Sequence, residues 1–360
     1  MVSLSGGGKR AAALAYGALL GIEKVSFKLP NGTDSNLFQQ VDFIAGVSGG
    51  ATVATHYAIN KQFPERFHLF SDFLYEKTER HLILQSLFPF NWFHSAAYIQ
   101  GNYFDSALYE KKQFKDLPNW PYLIIGSTDL SKGGGFYFSR TEFSCIGSDL
   151  DKYQLGHAVA ASAAFPLFIG TMPLENFNFP PDELSRELNR DRGHYLHLSD
   201  GGVTDNLAIN PYIPLLHKGY LIGDQSGQPR KLAKTLIWVR VDGSSHVEPT
   251  FDNSFVTRSV ASRMERALDV VFEQQVSETT KKIECEFTSK LDVLGISYIP
   301  FRVDLRDAPD DIKNRLRQIP TRWTLDSEDI KLLIEAGERM ISDQRKAIED
   351  TQEAFEKHGP

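Results

Sequence analysis

The hydrophobic residues of this chain fall into short apolar runs separated by longer segments with helical periodicity. Four runs have the length and the branched or aromatic content of buried strands: Val2–Ser5, Tyr122–Thr128, Leu236–Val241 and Ile296–Leu305. The clearest helical pattern, AAALAYGALLGIEKV, directly follows Arg10, and Pro64–Gln85 is also predicted to be helical. Because strands and helices alternate, we predict an α/β fold with three layers, in which helices cover both faces of a mostly parallel central sheet.

The last third of the chain has a different pattern, dominated by helical periodicity. Ser254–Lys282 is predicted to form a long helix, and Leu325–Phe355 a charged amphipathic helix whose alternating charges are typical of a solvated face. We therefore expect a mostly helical C-terminal extension.

One apolar run ends in a cluster of glycines around a serine. Val41–Gly50 reads VDFIAGVSGG, and the helical pattern Ala51–Asn60 follows it. A strand, a Gly-x-Ser-x-Gly turn and a helix together form a nucleophile elbow, which presents the serine at the edge of the sheet. The turn is too tight for Cβ atoms near the serine, which explains Gly46 and Gly50. Ser48 is therefore a candidate nucleophile.

A second Gly-rich turn follows the first predicted strand. Gly6, Gly7, Gly8 and Arg10 lie where the strand gives way to a helix, so uncovered backbone N–H groups would face an anion. A phosphate-binding P-loop requires G-x-x-x-x-G-K-[ST], but Arg10 follows Lys9 here and the first glycine is missing. An oxyanion hole needs only two or so such donors, and the pattern favours that interpretation.

A third motif joins an aspartate to a predicted strand end. The segment His194–Gly202 reads HYLHLSDGG, so Asp200 is followed by Gly201 and Gly202. An aspartate at that position can be reached from the end of a neighbouring strand, and the alternative role for Asp200 is to cap the turn. Asp205 or Asn206 is predicted to cap the helix that follows.

The composition of the chain limits which binding partners, cofactors and cellular locations are expected. The net charge of −7 disfavours nucleic acid as a partner. Two cysteines without a C-x-x-C spacing indicate no disulfide framework, and His194 and His197 lie on opposite faces of a strand pattern, so no metal or other cofactor is expected. No signal peptide or transmembrane run is recognisable, and we expect a cytoplasmic or peripheral membrane location.

An aromatic-rich stretch, Leu82–Phe104, carries proline and glycine interruptions and fits neither a spanning helix nor a regular strand. Such a segment either covers the core or lines an acyl pocket or lid. A peripheral membrane contact through this stretch, centred on Trp92, is a further hypothesis.

The three motifs, in this order, resemble those of the patatin-like phospholipases. The family's Gly-rich oxyanion motif matches at Gly6, Gly7, Gly8 and Arg10, its nucleophile motif at Gly46–Gly50, and its Asp-Gly-Gly motif at Asp200–Gly202. The segment Ala161–Pro166 is also similar to the family's small-residue segment. Ser5 departs from the pattern, since plant members often have an aspartate there.

The resemblance implies a lipid acyl hydrolase with a Ser48–Asp200 dyad and no catalytic histidine. It implies an acyl-hydrolase domain over residues 1–245, with residues 246–360 packed on it as a helical extension. A lipid ester is the implied substrate, whose transient oxyanion the N–H groups of Gly7 and Gly8 would hold. Arg10 would steady the Gly-rich turn or meet a phosphate headgroup, and the residues leave both roles open.

Two alternatives to this mechanism remain. The chain order Ser, Asp, His of an α/β-hydrolase triad would be met by Ser48 and Asp200 with His217 or His246. A non-catalytic lipid-binding protein could keep the same fold. Loss of activity on alanine substitution of either histidine would favour the triad, and ester hydrolysis independent of Ser48 would favour the binding protein.

Overall fold

The computed structural model describes residues 1–80, 95–166, 169–178, 193–210, 213, 218–222, 229–231, 234–244, 267, 270–271, 274–281 and 288–358. Most of the predicted helix over Ser254–Lys282 lies outside the described residues. In the part of the chain that is described, no helix combines the length and the apolar content needed to cross a bilayer.

The strands and helices follow the alternation predicted from the apolar pattern. The strands are β1 (Val2–Leu4), β2 (Ser26–Lys28), β3 (Asp34–Asn36), β4 (Phe43–Gly46), β5 (Tyr122–Asp129), β6 (Gly134–Tyr137), β7 (Met172–Glu175), β8 (Tyr195–Asp200), β9 (Tyr220–Ile222), β10 (Pro229–Lys231), β11 (Thr235–Asp242) and β12 (Ser297–Asp304). The helices are α1 (Gly8–Glu23), α2 (Gly49–Asn60), α3 (Pro64–His68), α4 (Phe70–Tyr75), α5 (Ala96–Ala107), α6 (Arg140–Cys145), α7 (Leu155–Ser162), α8 (Thr288–Val293), α9 (Asp310–Gln318), α10 (Ser327–Ser342) and α11 (Arg345–His358).

Among the described strands, eight form one sheet in the order β12-β11-β1-β4-β5-β8-β7, with β6 paired to β5. From β12 to β5 every neighbouring pair is parallel, whereas β6, β7 and β8 add antiparallel pairs at the other side. The predicted mostly parallel sheet is confirmed. Because parallel strands end at one edge, the turns that follow β1 and β4 lie side by side.

Alternate side chains of the central strands supply two apolar cores, one on each face of the sheet. Ile44 and Ile125 pack in the core that also contains residues of α1, α2, α7 and α10. Ala45 and Ile124 point the other way, into a second core that contains Leu291 of α8. Because a core covers each face of the sheet, the parallel strands must be apolar on both faces. The arrangement has the three layers that were predicted.

The C-terminal residues belong to this same packing. All of β12 pairs with β11, so the late strand extends the sheet. Helix α10 lies so close to α1 that a Cβ atom added at Gly17 would be 2.1 Å from the backbone oxygen of Ile334.

Two predicted helices are each divided in the structure. The helix predicted over Leu325–Phe355 is α10 and α11, with a break at Asp343–Gln344. The break is favoured because the Gln344 side chain hydrogen bonds to both the N–H and the C=O of Arg302 on β12, each at 2.9 Å. The helix predicted over Pro64–Gln85 begins as α3 and α4, on either side of Leu69, and its end lies outside the described residues.

Candidate active site

Ser48 occupies a strained turn between β4 and α2. Its backbone φ of 51° and ψ of −119° are unusual for a residue with a side chain. The surrounding structure has no room to relax, since a Cβ atom at Gly46 would lie 2.7 Å from the backbone oxygen of Gly50. At Gly50 it would lie 2.5 Å from the oxygens of Leu4 and Ser5. The turn therefore has the geometry that the Gly-x-Ser-x-Gly pattern predicts.

Asp200 ends β8 beside this turn, although it is far from Ser48 in sequence. Its backbone N–H donates to the carbonyl of Ala164 at 2.9 Å, and its own carbonyl accepts from the Thr128 hydroxyl at 2.8 Å. Its carboxylate accepts the N–H of Gly202 at 2.8 Å, and the Ser48 side chain is near enough to lower the pKa of that carboxyl. The sheet thus brings together the two residues predicted as a dyad.

The environment of the Asp200 carboxyl changes its acidity. The side chain is buried, and loss of hydration raises its pKa from 3.8 to about 6, against the opposing effect of hydrogen bonds from Gly202 and Ser48. A carboxyl with this pKa is ionised at neutral pH and is a stronger base than an ordinary aspartate. Gly201 allows the backbone after Asp200 to lie close to β5, because a Cβ atom there would lie 2.3 Å from the backbone oxygen of Gly126.

The Gly-rich turn runs directly over the elbow. Gly7 has φ of 136° and Gly8 has φ of 59°, conformations that favour glycine. The N–H of Gly6 donates to the Asn206 side-chain oxygen at 3.0 Å. In the described part of the chain, the N–H groups of Gly7 and Gly8 have no hydrogen-bond acceptor. Of the three glycines predicted for the oxyanion hole, these two therefore have donors available, whereas that of Gly6 is already used.

Arg10 lies behind the turn rather than at the surface. Its guanidinium donates to the carbonyls of Gly243 at 3.1 Å and Ile319 at 2.9 Å, and the residue is 1% exposed. This placement suits bracing of the turn, and it keeps the guanidinium away from a headgroup in solvent. Ser5 helps on the same side, since its hydroxyl accepts the N–H of Gly243 at 2.8 Å.

Three further residues shape the site without having been predicted to do so. The Ser162 hydroxyl accepts the backbone N–H of Ser48 at 2.9 Å. Asn206, considered only as a helix cap, holds Gly6 instead, while Asp205 accepts the N–H of Asn210 at 2.8 Å. A Cβ atom at Gly49 would lie 1.9 Å from the Gly8 oxygen. Ser162 lies in the small-residue segment and Gly49 in the nucleophile motif, whereas no sequence pattern indicated the contact of Asn206 with Gly6.

Other predicted candidates do not enter the described site. His217 and His246 lie outside the described residues, and none of the described histidines hydrogen bonds to Ser48 or Asp200. Of the aromatic stretch Leu82–Phe104, the part up to residue 94, with Trp92, lies outside the described residues, and the remainder begins α5. No group of three or more metal-ligating side chains is present in the part of the chain that is described.

Comparison with protein families matches residues 2–213 to the model described as patatin-like phospholipase, which is more than half of the chain. The matched range contains all three motifs, and β11, β12 and α8 to α11 lie beyond it. No curated protein matches the chain.

Proposed function

The chain belongs to the patatin-like phospholipase family, and from that premise we propose that it hydrolyses carboxylic esters of lipids through an acyl-enzyme on Ser48. The observation that carries the proposal is the proximity of the Ser48 side chain to the buried Asp200 carboxyl, whose pKa it lowers, beside two uncommitted backbone N–H groups. A nucleophile, a base and oxyanion donors are the three parts that acyl transfer requires.

In the first half of the reaction, the Ser48 oxygen attacks the ester carbonyl carbon while Asp200 accepts the hydroxyl proton. The carbonyl oxygen becomes an anion, and the N–H groups of Gly7 and Gly8 stabilise it. Collapse of this intermediate breaks the bond to the alcohol portion of the lipid, which leaves with the proton from Asp200. The acyl group remains on Ser48.

In the second half, Asp200 accepts a proton from water, and the resulting hydroxide attacks the acyl-enzyme. The second oxyanion is held by the same two N–H groups, and its collapse releases the fatty acid and returns the proton to Ser48. The pKa of about 6 supports this role, because the carboxylate is ionised at pH 7 yet basic enough to take a proton transiently.

The test compares the wild type with Ser48→Ala and Asp200→Asn on a short-chain p-nitrophenyl ester, with mass spectrometry of phospholipid and lysophospholipid products. Both variants should lose kcat by at least about 10³-fold, as expected when members of one catalytic unit are removed. Ser342→Ala is the matched control, since its hydroxyl donates to the carbonyl of Glu338 at the exposed end of α10. Hydrolysis unaffected by Ser48→Ala would refute the proposal.

The same assay decides between the dyad and a triad. Alanine substitution at His217 and at His246 should leave kcat within a few-fold of the wild type if Asp200 is the base. A loss of about 10³-fold at either position would assign the proton transfer to that histidine instead.

A further inference from the structure

A segment far beyond the family match lies directly against the Gly-rich turn. Residues 319–323 lie in the connection between α9 and α10, and we call them the C-terminal clamp. The Arg322 carbonyl accepts the backbone N–H of Lys9 at 2.9 Å. The Ile319 carbonyl accepts from the Arg10 guanidinium at 2.9 Å. The clamp therefore holds both residues that follow the last glycine.

The contact leaves no space between the two backbones. A Cβ atom at Gly8 would lie 2.9 Å from the Arg322 oxygen, so the clamp packs against the turn at its third glycine. From another direction, the buried Lys9 ammonium donates to the Thr78 hydroxyl at 3.1 Å and to the carbonyl of Glu76. The end of the turn therefore contacts segments from two other parts of the chain.

The clamp has its own anchor at Trp323, formed with residues outside the Gly-rich turn. The backbone N–H of Trp323 donates to the Glu79 carboxylate at 3.0 Å. The Trp323 ring packs on the Phe104 ring of α5, with 5.5 Å between the centroids. Substitution of Trp323 should therefore loosen the clamp without replacing any residue of the turn.

Such support matters because the turn cannot hold itself. Gly7 and Gly8 have no side chains, and glycine has the widest backbone freedom of any residue. Oxyanion donors work only when they are fixed in advance at the position of the developing charge. Asn206 fixes the residue before these two donors, and the clamp fixes the residues after them.

We propose that the C-terminal clamp is a positioning element of the oxyanion hole: it holds the N–H groups of Gly7 and Gly8 toward the substrate carbonyl of the Ser48 reaction. The inference rests on the proposed function for its catalytic part. It assigns a role in the active site to a segment that the family match does not include.

The experiment uses the full chain with Trp323→Ala to release the anchor and Trp323→Phe to retain a ring against Phe104. Leu333→Ala is the matched control, because it removes a buried apolar side chain from α10 in the same C-terminal region and alters none of the hydrogen bonds and ring contacts described for the clamp. For each protein we would measure kcat and KM for the ester and the inhibition constant of a trifluoromethyl ketone. That inhibitor forms a tetrahedral oxyanion on a serine nucleophile. Amide hydrogen exchange over residues 5–11 reports the turn independently of activity.

Trp323→Ala should lower kcat about tenfold, less than complete loss of a donor, and weaken the ketone by a similar factor, with KM little changed. Exchange over residues 5–11 should become faster. Trp323→Phe should retain most of the wild-type kcat and of the affinity for the ketone. Leu333→Ala should lower the melting temperature without changing kcat or the exchange over residues 5–11.

Three results would overturn the inference: unchanged exchange of the turn in Trp323→Ala, faster exchange with kcat and ketone binding intact, or equal changes in Leu333→Ala. If the wild type itself shows no Ser48-dependent hydrolysis, the proposed function fails. Exchange then still decides whether the clamp holds the turn.

Discussion

Gly49 offers a sharp test of the oxyanion hole, because local and tertiary considerations predict opposite effects of adding one methyl group. Gly49 begins α2 with an ordinary φ, and alanine is the better helix former by up to about 1 kcal/mol. The added Cβ, however, would lie 1.9 Å from the Gly8 carbonyl oxygen, where ordinary contact begins at 3.4 Å. That oxygen would therefore have to move by about 1.5 Å.

The consequence for catalysis can be estimated from this displacement. The Gly8 carbonyl belongs to the turn that carries both proposed oxyanion donors, so the donors would shift with it. A misplacement of about 1 Å can cost about 10²-fold in rate. We expect Gly49→Ala to lower kcat for a p-nitrophenyl ester by about 10²-fold or more, with a smaller change in KM.

The control for this variant is Gly134→Ala in β6, where no atom of the described residues lies within 4 Å of the added Cβ atom. It should retain the wild-type kcat. Circular dichroism and a thermal melt verify that both variants fold. A folded Gly49→Ala enzyme with kcat within threefold of the wild type would refute the placement of the oxyanion hole at this turn.

Three further predictions follow from the described contacts. Because Asp200 must be ionised to accept a proton, kcat/KM should fall about tenfold per pH unit below its pKa of about 6, and a flat profile from pH 8 to 5 would contradict this role. Burial raises the pKa of the Asp105 carboxyl from 3.8 to about 6. The ionised carboxyl therefore destabilises the folded protein: this cost is absent below pH 3.8 and grows as the pH rises through about 6. Asp105→Asn, which keeps an acceptor for the N–H of Gly156, should therefore stabilise the protein by about 1–3 kcal/mol in urea unfolding at pH 7.5 and not at pH 4, and lower stability at pH 7.5 would contradict this. Asn206→Leu removes the acceptor of the Gly6 N–H at similar volume and should lower kcat about tenfold, and an unchanged kcat would show that this bond does not position the turn.

The fold and the dyad candidates were accessible from sequence because each depends on short-range rules. Hydrophobic periodicity distinguishes strands from helices. Parallel strands end at the same edge of a sheet, so the turns after β1 and β4 lie side by side. The tight turn at Ser48 requires glycines at fixed spacing, so the positions of the glycines predict its backbone geometry. The helix prediction over Leu325–Phe355 was wrong about continuity, since the break depends on a hydrogen bond between Gln344 and a strand far away in sequence.

The sequence by itself determined the α/β architecture, the family resemblance and the positions of Ser48, Asp200 and the Gly-rich turn. Only the tertiary structure decided how these parts are held: which glycine N–H groups are committed, that Arg10 faces the interior, and that residues near Trp323 support the turn. The physical reason is that hydrogen-bond partners, burial and the pKa shift that burial causes are set by neighbours in space. Those neighbours come from segments that no local pattern connects.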